Sequence, residues 1–227
     1  MPRRARFTVS DGVYHVMARG NNRANIFHDD EDFGFYLKQI KDNKEKYNLK
    51  IFHYALLNNH LHMIIQSPEG KNLSEAMKRL NVTYTRYYRK KYGGIGHLFQ
   101  GRFKSFLIQK GKYLLECGIY VELNPVRAGI ATRPEEYTWS SYQVYVTGEK
   151  SDLIDLDPEY MGLHENESER VRIYEEYIDD KVGERRNEER FFKSGVYGSK
   201  EFMEEMGKKG LKAIWSHGGR PKGKKNE

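Results

Sequence analysis

The 227-residue chain is 38% hydrophobic and 31% charged, with a net charge of +7, a composition that permits a packed core inside a strongly solvated shell. No stretch approaches the roughly 20 apolar residues of a membrane-spanning helix, and no apolar signal region follows the basic start, so the expectation is a cytoplasmic protein. Cys117 is the lone cysteine, which excludes an intrachain disulfide or a thiolate zinc cluster and suits a reducing compartment.

Val13 to Ala18 reads as a strand, followed by the polar turn Arg19-Gly20-Asn21-Asn22-Arg23. Asp30 to Tyr47 reads as a helix, with acids at its start and Phe33, Tyr36, Leu37 and Ile40 at helical spacing. Lys50 to Leu57 and His60 to Gln66 are strands separated by Asn58-Asn59, a dipeptide that tolerates positive φ and fits a two-residue hairpin turn. Leu73 to Lys91 is a helix ended by Gly93-Gly94, Arg102 to Gln109 a strand, and Lys112 to Leu123 a helix stopped by Pro125. The order β-α-β-β-α-β predicts an α+β, ferredoxin-like fold: an antiparallel sheet with two helices on one face. The added helix is then available to cover the other face.

After Trp139-Ser140-Ser141-Tyr142 the character changes. Residues 151–159 read as an acidic connector, 165–189 and 200–206 as helical, and 217–227 as a flexible basic tail. The chain therefore divides into residues 1–147, a helical extension at 148–216, and the tail. Charge is unevenly spread. Residues 51–112 hold 11 basic and 2 acidic side chains, a net +9, whereas residues 151–200 hold 8 and 14, a net −6. A local basic excess of this kind is the footprint of a polyanion binder, although solvated basic faces are common.

The sharpest local pattern is His60-Leu61-His62. Alternate strand residues share a face, so both imidazoles point one way while Leu61, Met63 and Ile65 point to the core. The pair can bind a metal, or it can be two half-buried strand histidines. A His-x-His-x-His nucleotide hydrolase is excluded by Ile64, and a structural zinc site would need further ligands, of which His53 is one incomplete candidate. Tyr120 and Asn124 lie four apart, on one helix face. A phenol and an amide oxygen presented together suit a metal-bound phosphate; Tyr120 alone reads rather as a core or interface tyrosine, and its combination with the histidine pair is what favours the chemistry. Asn124 precedes Pro125, which places it at a frayed last helical turn.

Several ordered blocks carry a resemblance. They are Tyr14-His15-Val16 with Arg19-Gly20-Asn21-Asn22, Tyr54-Ala55-Leu56-Leu57-Asn58-Asn59-His60-Leu61-His62, and Gly96-His97-Leu98-Phe99-Gln100-Gly101-Arg102-Phe103-Lys104-Ser105. Two more are Tyr120-Val121-Glu122-Leu123-Asn124-Pro125-Val126-Arg127-Ala128 and Trp139-Ser140-Ser141-Tyr142. Together they resemble the single-tyrosine HUH transposases, in particular the REP-associated tyrosine transposase branch, over about residues 3–147. The resemblance implies cleavage and rejoining of single-stranded, hairpin-forming DNA through a covalent 5′-phosphotyrosine, with Mg²⁺ or Mn²⁺. It implies His60 and His62 as metal ligands and Tyr120 as nucleophile. Asn124 stands in the place of a third polar ligand that is often Gln in related branches. A nucleoid-associated location follows, with monomer and homodimer both open.

For DNA contact, the helix at 73–91 offers Arg86, Arg89 and Lys90, while Tyr84 and Tyr88 are expected to pack inward. Arg102 and Lys104 extend the basic region on one strand face. Arg19, Asn21, Asn22 and Arg23 form a turn suited to phosphate or base contact, or simply to solvation. Gly219-Arg220-Pro221 matches the core of a minor-groove AT-hook over only three residues. The rivals to a strand transferase are a domesticated, noncatalytic binder of DNA or RNA hairpins and a metal-dependent nuclease that uses water.

Overall fold

A computed structural model describes residues 7–182 and 195–211 of the chain. Four strands, β1 (Gly12–Arg19), β2 (Lys50–Leu57), β3 (His60–Ser67) and β4 (Lys104–Ile108), form the antiparallel sheet that the sequence pattern predicts. A two-residue strand, β5 (Val196–Tyr197), pairs in parallel with β4, giving the order β2-β3-β1-β4-β5. That fifth strand has no sequence signal, because two residues are too short for a period to show. Strand β4 begins at Lys104, so Arg102 sits in the bend before it and does not share its face.

Helices α1 (Asp30–Tyr47) and α2 (Gly70–Tyr92) cover one side of the sheet. The Asp29 carboxylate caps α1 by accepting from the Asp32 N–H, and acids at 30–32 complement the positive end of the helix dipole. Phe33, Tyr36 and Ile40 of α1 and Leu73, Met77, Leu80 and Tyr84 of α2 pack with Val16, Leu61, Met63 and Ile65 of the sheet. Tyr84 is fully buried and donates to the Ile26 carbonyl, as its inward assignment requires, whereas Tyr88 is only half-buried and its hydroxyl bonds the exposed His28 ring. Lys91, at the basic end of α2, pairs with Asp29, Glu31 and Asp32. Burial would raise the Asp32 carboxyl, but the His28 N–H and the Lys91 ammonium hold it below its ordinary range. Lys91 thus locks α2 to α1.

Helix α3 (Lys112–Glu122) crosses the opposite face, where Leu114, Cys117 and Val121 pack against Val13, Ala55, Ile64 and Ile108. Pro125 does not stop the chain's helical course. A further turn, α4 (Asn124–Arg127), follows directly with the proline in its first turn, a position that needs no N–H. Gly118 lies mid-helix, where alanine ordinarily stabilises by about 0.5–1 kcal/mol. Here a Cβ would lie 2.5 Å from His53 Nε2, so Gly118→Ala is expected to cost about 1–3 kcal/mol by overpacking. A lowered denaturant midpoint at unchanged slope is the measurement that checks it.

The C-terminal part adds α5 (Tyr142–Thr147), α6 (Pro158–Met161), α7 (Glu167–Val182) and α8 (Lys200–Lys208). The acidic stretch at 151–159 is more than a connector, since Ile154 and Asp157 are buried. Acidity predicts solvent exposure, and tertiary partners override it here. The expected helix beyond residue 182, the tail at 217–227 and Gly219-Arg220-Pro221 lie outside the described residues. Among the described residues no helix is long and apolar enough to cross a membrane.

Candidate active site

Register places the candidate residues on one face. His15 of β1 pairs with Ile64, Met17 with His62 and Arg19 with His60, while Lys104 of β4 pairs with Met17. Alternation then puts His15, Arg19, His60, His62 and Lys104 on the side that α3 covers. His60 is half-buried and His62 is buried, with ring centroids 5.1 Å apart.

Each imidazole is oriented through its Nδ1. His60 Nδ1 lies 2.5 Å from Asn59 Oδ1; an amide oxygen only accepts, so the proton is on Nδ1 and the lone pair on Nε2. His62 Nδ1 lies 2.9 Å from His15 Nε2, and the two rings stack at 5.1 Å. Burial pulls the His15 pKa down to about 3, so this ring is neutral. With the His62 proton on Nδ1, that N–H donates to His15 Nε2 and the Nε2 lone pair is left available. Metal-ligating histidines are held in this way by a partner on the second ring nitrogen, so the donor set fits a divalent cation. Among the described residues no cluster of three or more His, Cys, Asp or Glu side chains makes a metal site.

Helix α3 brings Tyr120 edge-on to both rings, with centroids 5.8 Å from His15 and 6.0 Å from His62. Asn124, expected at a frayed end, is instead fully buried. Its Nδ2 donates to the Tyr120 carbonyl at 2.8 Å and the Val121 carbonyl at 3.3 Å. Pro125 lacks the N–H that would reach Val121, and the Asn124 amide replaces it. Arg127 also donates to the Tyr120 carbonyl, and its guanidinium stands 5.2 Å over the Tyr120 ring. His15 and Arg127 carry no local signal as site residues. Finding His15 requires the β1–β3 pairing, which a sequence pattern leaves open.

The Asn58-Asn59 turn does something other than expected. Neither residue has a positive φ; that conformation falls on Asn22 (50°) and Arg23 (62°). The Asn58 carbonyl accepts from Ile26 and Phe27, and the Asn59 carbonyl from Gly20. Gly20 is required, because a Cβ there would meet the Ala24 carbonyl at 2.0 Å. The loop carrying Arg19, Asn21, Asn22 and Arg23, all exposed, is thereby pinned beside His60. Backbone bonds from Asn21 to Leu98 and from Gln100 to Arg19 tie the 97–101 segment to the same corner.

Arg86, Arg89, Lys90, Arg102 and Lys104 are exposed as well. Partial desolvation, then the neighbouring Arg19 charge, lowers the Lys104 pKa; the two basic side chains stand close together at the edge of the histidine face. A cleft of about 350 Å³ between α2 and the 96–101 segment includes Asn81, Thr85, Arg86, Arg89, His97 and Phe99 in its walls. Arg89 donates to the Gly96 carbonyl and so forms part of that wall. Lys90 is not among the lining residues. His53, the extra zinc candidate, is engaged elsewhere: Glu122 lies 2.9 Å and Asp157 3.2 Å from its ring nitrogens.

No curated protein matches the chain. Among solved structures it is similar to a REP-associated tyrosine transposase bound to a REP hairpin, at 20% identity and a TM-score of 0.56, over 69% of this chain and 93% of that one. At that identity the likeness is one of fold. Residues 8–124, more than half of the 227, match the family described as "Transposase IS200 like". The chain belongs to the IS200-like transposase family.

Proposed function

We propose that this chain cleaves and rejoins single-stranded DNA beside a hairpin, using Tyr120 as the nucleophile and a divalent cation at His60, His62 and Asn124. The observation that carries the reading is the packing of the Tyr120 ring of α3 6.0 Å from His62, with Asn124 opening the turn α4 that follows directly. The fold relative was solved with a REP hairpin, which supports hairpin DNA as the substrate class.

A phenol with an ordinary pKa near 10 is a weak nucleophile at neutral pH. A bound Mg²⁺ or Mn²⁺ would polarise the scissile phosphate and offset its developing charge. Imidazole donors favour Mn²⁺ over Mg²⁺, which prefers oxygen ligands. His15 and Asn59 hold the two imidazoles, and Arg19 and Lys104 supply positive charge where the phosphodiester arrives. Tyr120 Oη attacks phosphorus, the P–O3′ bond breaks, and the phenol loses a proton as the 3′-oxygen gains one. The product is a 5′-phosphotyrosine and a free 3′-hydroxyl, which reverses by attack of another 3′-hydroxyl. Arg19, Asn21, Asn22, Arg23, Arg86, Arg89, Lys90, Arg102 and Lys104 are the proposed DNA contacts.

The test is a denaturing gel of the chain incubated with Mn²⁺ and labelled single-stranded hairpins drawn from DNA flanking its gene. A labelled protein band is the expected result. Tight hairpin binding with no such band supports the noncatalytic binder instead. Lys104→Gln is expected to weaken binding at all hairpin sequences and to lower the slope of log affinity against log salt by about 0.7–0.9. An unchanged slope removes Lys104 from the contact set.

A further inference from the structure

Two residues after Tyr120, Glu122 is buried on a different side of α3, with no exposed surface. Its Oε1 accepts from Ser141 Oγ at 2.6 Å and from His53 Nδ1 at 2.9 Å, and its Oε2 accepts from the Tyr174 hydroxyl at 2.7 Å. The opposite nitrogen of His53 donates to Asp157 Oδ2 at 3.2 Å. Burial alone would push His53 down, but the Glu122 and Asp157 carboxylates outweigh it and hold its pKa up at about 9. The ring is therefore a cation between two carboxylates at neutral pH.

The cluster is closed by aromatic rings. His53 stacks on Tyr145 at 4.5 Å, the Tyr145 hydroxyl accepts from the Asp157 N–H and donates to the Phe52 carbonyl, and Tyr174 packs 5.4 Å from Tyr145. Asp157 and Tyr174 both come from the extension after residue 147, whereas His53 is on β2 and Glu122 is on the tyrosine's own helix. His53 also presses on α3 at Gly118, where no side chain would fit. Gly118 and Glu122 are one turn apart, so they lie on one stripe of the helix. Tyr120, midway between them, projects from a different side at 100° per residue. Contacts on the Gly118–Glu122 stripe therefore set how α3 presents the phenol to His62.

We propose that the extension at residues 148–182 is a positioning element of the active site, in which Asp157 and Tyr174, acting through His53 and Glu122, hold α3 and so place Tyr120. The idea rests on the tyrosine mechanism for its catalytic consequence, but not for the mechanical one. Two buried carboxylates on separate elements make such a clamp sensitive, because a buried charge that loses its partner is costly to keep in place.

The test uses the full chain and two conservative variants, Tyr174→Phe and Asp157→Asn, with Tyr177→Phe on the exposed side of α7 as control. Tyr174→Phe removes one hydroxyl and keeps the ring packing. Well below the melting temperature, the single-turnover rate of adduct formation on saturating hairpin is expected to fall up to about 10²-fold. Hairpin affinity should stay within about twofold, since distant sites act nearly independently. Hydrogen exchange across residues 112–123 should quicken in both variants and not in the control. Wild-type rates with only a lowered melting temperature, or unchanged exchange in α3, would overturn the proposal. Should the parent chain form no adduct while α3 loosens in both variants, the clamp stands and the strand-transfer reading falls.

Discussion

His62→Ala is expected to leave hairpin binding nearly intact while cutting strand cleavage by about 10²–10³-fold. His62 is buried and its Nδ1 is committed to His15, so it offers DNA little surface. Its proposed task is confined to the cation that stabilises the reacting phosphate. His60→Ala should behave similarly, with partial recovery at raised Mn²⁺, because that half-buried ring lies closer to solvent. Chelation by EDTA should silence the parent chain and abolish the recovery of His60→Ala at raised Mn²⁺. A large loss of hairpin affinity in His62→Ala would instead make the imidazole a structural group.

Tyr120→Phe carries the second large effect. The substitution deletes a single oxygen and keeps the ring that packs on His15, His62 and Arg127, so fold and binding should survive. Covalent adduct should vanish, and cleavage should fall by more than about 10⁴-fold, as for removal of other enzymatic nucleophiles. Cleavage that persists without an adduct points to water as the nucleophile.

The parts legible in the sequence were those with a period or a local turn signal. Alternation through His60-Leu61-His62 separated a polar face from Leu61, Met63 and Ile65, and these three do pack under α1 and α2. Helical spacing likewise predicted the helix that carries Tyr120, whereas Asn124 opens the separate turn α4. What escaped depends on strand order or distant partners. His15 becomes a site residue only because β1 lies beside β3. The Asn58-Asn59 pair suggested a positive-φ turn, yet its carbonyls anchor the 20–27 loop and the strain is carried by Asn22 and Arg23. Pro125 looked like a helix stop because its missing N–H is visible, whereas the compensating Asn124 amide is not. Acidic composition at 151–159 concealed Asp157, whose burial is stabilised by His53, about a hundred residues earlier in the chain.

The most direct test of the central claim is mass spectrometry of the chain after reaction with a hairpin and Mn²⁺, nuclease trimming and tryptic digestion. Cleavage after Lys112 and Arg127 yields a peptide of residues 113–127, which holds both Tyr113 and Tyr120. The account predicts a nucleotide joined through its 5′-phosphate to Tyr120, resolved from Tyr113 by fragmentation. A modification on Tyr113 or on any other residue, or hairpin cleavage with no modified peptide, would contradict it.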